Sequence, residues 1–133
     1  MIVRTVRDVE GTDRDVATLT WRSRRLLLAR DGAGFSLHDT VLHAGTETTM
    51  SYRHHVEAVY CIDGHGQLDD LDNDRSYELA PGTVYLLDGH ERHRVVAASD
   101  LRMVCVFSPP CTGRETHQED GSYPLLTATD GEP

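Results

Sequence analysis

The sequence predicts an all-β fold, a small antiparallel barrel or sandwich of short strands with few short helices. Three observations predict it. Apolar and β-branched residues gather in short runs, Gly, Pro and Asp clusters punctuate those runs at regular intervals, and helical periodicity is weak throughout. The best helical stretch, Thr5 to Glu10, is short. Leu26 to Ala29 follows Arg24 and Arg25 and stops at the turn cluster Asp31 to Gly34. Phe35 to His43 alternates and is rich in β-formers, and Gly45 opens a run that continues through Tyr52. Val56 to Ile62 is an apolar strand ended by Asp63 and Gly64. Gln67 to Leu71 precedes the polar turn Asp72 to Asp74, and Pro81-Gly82 starts Thr83 to Leu87. Arg94 to Ala98 and Leu101 to Phe107 complete the set.

The 133 residues are read as one domain spanning 1–133, which is enough for one core and no second. Residues 108–133 read as a C-terminal arm that partly covers the pocket and frays at its end. The net charge of −9 argues against nucleic acid and against anionic membrane surfaces, both of which call for a basic face. Every basic side chain among Lys and Arg is arginine. Without a lysine amine, Schiff-base and pyridoxal phosphate chemistry and a Walker loop are excluded. The three cysteines, Cys61, Cys105 and Cys111, form no Cys-x-x-Cys pair. That fits free thiols in a reducing compartment better than a disulfide frame or structural zinc. The start of the chain lacks the apolar core of a signal peptide, and the expected location is the cytoplasm.

Two glycine-bounded stretches carry the chemistry. Gly45, Glu57 and Gly64 mark the first, and Gly82 and His93 the second. This spacing resembles the cupin family, in which paired half-sites on strands hold a metal in the lumen of a small barrel. The cupin pattern places two histidines in its first half, and here those positions are Ser51 and Arg53. His54 and His55 are adjacent, so on a strand they point to opposite faces and cannot both replace the lost pair. A third donor is needed, and Tyr85 is the best candidate, on the strand leading to His93 with Thr83 and Leu87 on its face. A carboxylate, a phenolate and an imidazole suit iron(II), or another divalent ion, better than a thiolate-seeking metal. Singly, each residue has an ordinary explanation: a solvated Glu, a packing Tyr, one His among eight. Their joint spacing favours the metal. His43 and His65 read as turn-proximal surface residues, and His38 stays open as a pocket wall. Arg22, Arg24 and Arg25 read as a solvated face, although Arg25 has the reach to meet a carboxylate.

Longer strings sharpen the reading. They begin at Met1-Ile2-Val3-Arg4 and include Trp21-Arg22-Ser23, the stretch His54 to Ile62, Pro81 to Asp88, Cys105 to Phe107 and Thr112 to Pro124. Together they resemble the ectoine synthase family over nearly the whole chain. The resemblance implies a dimeric cupin using iron(II). The implied reaction closes N-γ-acetyl-L-2,4-diaminobutyrate to a cyclic amidine with loss of water, the last step toward a compatible solute for osmotic protection. It implies Glu57, Tyr85 and His93 as metal ligands. It implies Trp21, Ser23, Arg25, Thr40, Cys105 and Phe107 around the substrate, and Tyr52, Glu115 and His117 in catalysis or pocket shape. Ser51 and Ser108 stand where many members carry other residues.

These residue types suit the chemistry. An amide carbonyl is a poor electrophile, and a Lewis acid on its oxygen is worth several kcal/mol. The attacking 2-amino group must be neutral, a task for a carboxylate such as Glu115. The departing oxygen needs a proton from Tyr52 or His117. Because attack is intramolecular, holding the chain folded contributes up to about 7–11 kcal/mol in favourable cases. A cupin oxygenase or isomerase on another small molecule is the competing enzyme class and calls for the absent histidine pair. A non-enzymatic ligand-sensing cupin would usually bring a DNA-binding domain, for which no residues remain.

Overall fold

The computed structural model describes residues 1–113. A one-turn helix α1 (Val6–Val9) opens the chain. Thr5 and Asp8 cap it reciprocally, Asp8 N–H to Thr5 Oγ1 at 3.2 Å and Thr5 N–H to the Asp8 carboxylate at 2.8 Å, an arrangement that satisfies donors a short helix leaves unpaired. Ten strands follow: β1 (Asp15–Ala17), β2 (Trp21–Leu27), β3 (Ser36–Leu42), β4 (Glu47–Met50), β5 (Val56–Asp63), β6 (Gly66–Asp70), β7 (Arg75–Leu79), β8 (Val84–Leu87), β9 (His93–Ala97) and β10 (Leu101–Ser108). A 3-10 turn, Ala29–Asp31, separates β2 from β3. No helix among the described residues is long and apolar enough to cross a membrane.

The strands form a six-stranded sheet, β1-β2-β3-β10-β5-β8, and a four-stranded sheet, β4-β9-β6-β7. Every pairing is antiparallel. The expected all-β barrel or sandwich is therefore what the chain forms. The inner faces meet over a core that includes Val59, Cys61, Leu79, Val95 and Leu101, each at most 1 % exposed. Cys61, Cys105 and Cys111 are free and buried. Burial raises the Cys61 and Cys105 thiols above the usual range.

Two strands lie outside the expected set. β1 has only three residues. β7 is polar and exposed along all but its last residue, because it is the free edge of the smaller sheet and shows one face to water. It returns from β6 through the expected Asp72–Asp74 turn, where the Asp70 carboxylate accepts from the Asp72 and Asn73 N–H groups.

Register places the site. Arg25, His38, Cys105, Val59 and Tyr85 stand opposite one another in one row across β2, β3, β10, β5 and β8. A neighbouring row carries Ser36, Phe107, Glu57 and Leu87. The expectation that Arg22, Arg24 and Arg25 form one solvated face is corrected here. Alternation sends Arg22 and Arg24 outward, where they pair with Asp15 at 2.7 Å and Asp39 at 3.0 Å. Arg25 points inward and is 4 % exposed.

Asp31 ties the start of the chain to the larger sheet. Its carboxylate accepts from Arg14 at 2.8 Å, Arg4 at 3.2 Å and the Leu28 N–H at 2.8 Å. Burial pushes its acid strength down, but the Arg14, Leu28 and Arg4 donors outweigh burial and hold its pKa well below the usual carboxylate range. A carboxyl whose folded pKa is depressed stabilises above its unfolded value near pH ~4 and loses that contribution as pH falls toward its folded value. Asp31→Asn should therefore cost about 2–4 kcal/mol at pH 7, since it strands two arginines in a largely buried cluster. Urea melts at pH 7 and pH 3 check this: the gap between variant and wild type narrows in acid, and an unchanged gap would show that charge is not the cause.

Candidate active site

A pocket of about 440 Å³, mouth included, opens between the sheets. Trp21, Ser23, Thr40, Tyr52, Glu57, Tyr85, Cys105 and Phe107, all expected at the site, line it. So does His38, which sequence reasoning left open, together with Leu42, Met50 and Met103. Strand alternation was the available signal for these four, since each shares a sheet face with an expected residue. Arg25 lies behind this wall. Its Nε–H donates to Ser23 Oγ at 3.0 Å, and its guanidinium sits 5.9 Å from the Trp21 ring centroid. It reaches no carboxylate among the described residues.

His93 faces a second cavity of about 740 Å³, mouth included, shared with Leu68, Leu79, Leu87 and Tyr85. Tyr85 lines both spaces, and its ring centroid is 6.3 Å from that of His93. Tyr52 lies 6.2 Å from His93 and meets Phe107 edge-on at 5.1 Å. Glu57 pairs with Leu87 in the β5–β8 ladder, so Tyr85, two residues earlier on β8, is its diagonal neighbour on the same face. The pair straddling two strands matches the expectation that Tyr85 shares a face with Leu87. His54 and His55 precede β5 rather than lying on it, so the strand geometry expected of them is corrected. They still diverge, His55 1 % exposed and edge-on to Phe107 at 5.7 Å, His54 in solvent. Glu115 and His117 lie outside the described residues.

The electrostatics single out Glu57 and His93. Burial pushes the Glu57 carboxyl up to about 8, against the lowering effect of a hydrogen bond from the Cys105 thiol. Burial and the Glu57 charge likewise hold the Tyr85 phenol well above its usual value. Burial lowers His93 despite the raising effect of the Glu91 carbonyl. That carbonyl lies 3.1 Å from His93 Nδ1. A carbonyl only accepts, so Nδ1 carries the proton and Nε2 presents its lone pair. Nε2 is buried with no hydrogen-bond partner among the described residues. A neutral imidazole oriented through Nδ1 with Nε2 bare is the form in which histidine binds metals. A buried carboxyl with no ion-pair partner among the described residues is a second feature that a cation would relieve. Among the described residues no three His, Cys, Asp or Glu side chains converge, so a third donor there must be of another type, and the Tyr85 phenol is adjacent. The residues fit a divalent ion.

A two-sheet antiparallel barrel with donor side chains set among apolar walls in its lumen is the architecture of a cupin. The chain belongs to the ectoine synthase family, whose model matches residues 1–127. It is 58 % identical over 132 residues to the L-ectoine synthase of Thermobifida fusca (strain YX), with 98 % of each chain covered. It is 56 % identical over 126 residues to that of Nocardia farcinica (strain IFM 10152), covering 95 % and 96 %. The crystal structure of ectoine synthase from P. lautus superposes with a TM-score of 0.85 at 53 % identity, covering 100 % of this chain and 96 % of that one.

Proposed function

We propose that this chain closes N-γ-acetyl-L-2,4-diaminobutyrate to ectoine with loss of water, in the cytoplasm, as the step that makes a compatible solute for osmotic protection. The observation that carries the reading is the aromatic-walled pocket into which a cation-poor buried carboxyl, Glu57, projects beside Tyr85. The full-length relatives named L-ectoine synthase support the substrate. Glu57, Tyr85 and His93 Nε2 are the proposed ligands of iron(II) or a similar divalent ion. Such an ion, when bound, supplies Lewis-acid polarisation of an amide carbonyl, worth several kcal/mol.

The chain's own residues do the rest. Trp21 and Phe107, 9 % and 2 % exposed, flank the substrate and exclude water while the ring closes. Their rigid faces hold a flexible chain in its folded conformer, which is the main requirement of an intramolecular attack. The buried Arg25 charge, with Ser23 and Thr40 in front of it, draws the substrate carboxylate to the β2–β3 side of the pocket. Cys105, bonded to Glu57, walls the space between the two ends. In the reaction the 2-amino nitrogen bonds to the carbonyl carbon, the carbon–oxygen bond breaks, and both amine hydrogens leave with the oxygen as water. Glu115 takes the first amine proton, Tyr52 or His117 delivers one to the oxygen and is reprotonated by the second amine hydrogen, and Glu115 returns its own as the oxygen leaves as water; such positioned transfer contributes about 10²–10⁴-fold. The Tyr52 hydroxyl lines the pocket and donates to Met50 Sδ at 3.3 Å. The working unit is read as a homodimer. Tyr60, Val84 and Leu86, exposed on β5 and the edge strand β8, offer an apolar edge for it.

The purified protein, loaded with iron(II) under anoxic conditions and given N-γ-acetyl-L-2,4-diaminobutyrate, should produce ectoine by proton NMR, and a chelator should stop it. No ectoine from iron-loaded protein overturns the reading. Glu115→Ala should abolish turnover with iron retained; loss of iron would make Glu115 a ligand instead.

A further inference from the structure

His38 is 2 % exposed and lines the pocket. Its Nε2 lies 3.2 Å from Ser36 Oγ, and Ser36 is completely buried. The same Oγ accepts the Cys111 N–H at 3.0 Å. The one proton of this hydroxyl has His38 Nε2 as its acceptor among the described residues. A buried hydroxyl left without an acceptor costs about 1–3 kcal/mol, so Ser36 donates and Nε2 accepts. The imidazole proton is then on Nδ1, which has no partner among the described residues. The ring is neutral, since burial first, then the Arg25 and His55 charges, keep it well below the ordinary imidazole range.

Ser23 repeats the pattern one position away. Its Oγ accepts from Arg25 Nε at 3.0 Å and from Thr40 Oγ1 at 3.1 Å. The Ser23 and Thr40 hydroxyls both line the pocket, so the pair presents O–H groups to it in front of the buried guanidinium. His38 is the direct cross-strand partner of Arg25. This end of the pocket therefore presents two hydrogen-bond donors backed by a buried guanidinium, on β2 and β3, while Glu57 and Tyr85 stand on β5 and β8. Donors without acceptors beside a positive charge fit a carboxylate.

The geometry points to His38 as a further substrate-anchoring residue that donates Nδ1–H to the substrate carboxylate beside Ser23 and Arg25, with Ser36 positioning it by fixing the ring's tautomer. This deepens the ring-closing reading and rests on it. The test compares His38→Asn, whose amide N–H₂ falls near the Nδ1 position, with His38→Gln, whose amide falls near Nε2. Each is assayed with N-γ-acetyl-L-2,4-diaminobutyrate and with N-acetyl-1,3-diaminopropane, which lacks only the carboxylate. His38→Gln should raise KM for the full substrate about tenfold or more and shrink the preference over the decarboxylated compound by the same factor. His38→Asn should stay within about threefold of wild type, as expected when the donor is kept. Wild-type KM and preference in His38→Gln, or an equal loss in both variants, overturns the anchor. Wild-type protein that makes no product fails the ring-closing reading separately. Calorimetric binding of the two compounds to the same three proteins then decides the anchor by the same criteria.

Discussion

Glu57→Ala and His93→Ala will each yield folded protein that retains no iron and makes no measurable ectoine. The expected loss in turnover is about a thousandfold or more, the scale of several kcal/mol of Lewis-acid stabilisation. Folding should survive, for different reasons at the two positions. Among the described residues Glu57 forms no ion pair; burial raises its carboxyl to about 8 and the Cys105 thiol is its hydrogen-bonding neighbour. Replacing this acid with an apolar group removes a desolvation cost that outweighs its thiol hydrogen bond. His93 gives up a 3.1 Å contact to the Glu91 carbonyl and its buried packing near Tyr52 and Tyr85, together about 2–4 kcal/mol. Iron content by metal analysis, thermal melts and ectoine yield are measured together. Full iron in both variants refutes the ligand set; iron lost from one alone removes the other from it.

Gly64→Ala will destabilise the protein by about 3–5 kcal/mol, while Gly82→Ala will cost only about 1–2 kcal/mol. Both glycines bound the stretches that carry Glu57 and His93, and both have left-handed backbones, φ +91° and +95°. That conformation costs an alanine about 1–2 kcal/mol at either place. Only at Gly64 is there also no room: an added Cβ would stand 1.9 Å from the Asp100 carbonyl oxygen, whereas nothing lies within 4 Å of one at Gly82. Relief requires β5 and the turn before β10 to part, and these frame the sheet that carries Glu57. Thermal melts should separate the variants by roughly 5–15 °C for a chain of this size. Equal melts would show the Gly64 turn relaxes freely.

The crowding at Gly64 shows part of what was legible in the sequence. Glycines that stop strands announce turns, and the apolar runs of β5, β8 and β10 announce buried strands, so most of the barrel was readable. β1 is too short and β7 too polar to carry a hydrophobic signal, because both lie at sheet edges. Glu57 and His93 stood out by spacing, with Tyr85 as the candidate third donor, whereas Tyr52 and Phe107 entered only through the family resemblance. The inward turn of Arg25 and its pairing with His38 were not legible. Trp21 to Arg25 holds three arginines among five residues, which reads as a solvated run until alternation is applied along β2. That Arg25 then faces His38 depends on the β2–β3 register, which slips at a bulge between Arg25 and Leu27, a tertiary fact no local pattern encodes.

The three thiols have a practical consequence. Cys61, Cys105 and Cys111 are 0 %, 5 % and 2 % exposed, and a thiol must ionise and be reached before it alkylates. The folded protein should tolerate thiol reagents, and each labelling event records an opening. Cys61 and Cys105 sit on adjacent central strands, so their labelling clocks global unfolding. Cys111 follows the last strand, held by the Ala29 N–H to its carbonyl at 2.8 Å and by Ser36, so it labels whenever that segment lifts alone. The ratio of the rates is a native stopwatch for how often the segment beneath His38 lets go while the barrel stays shut.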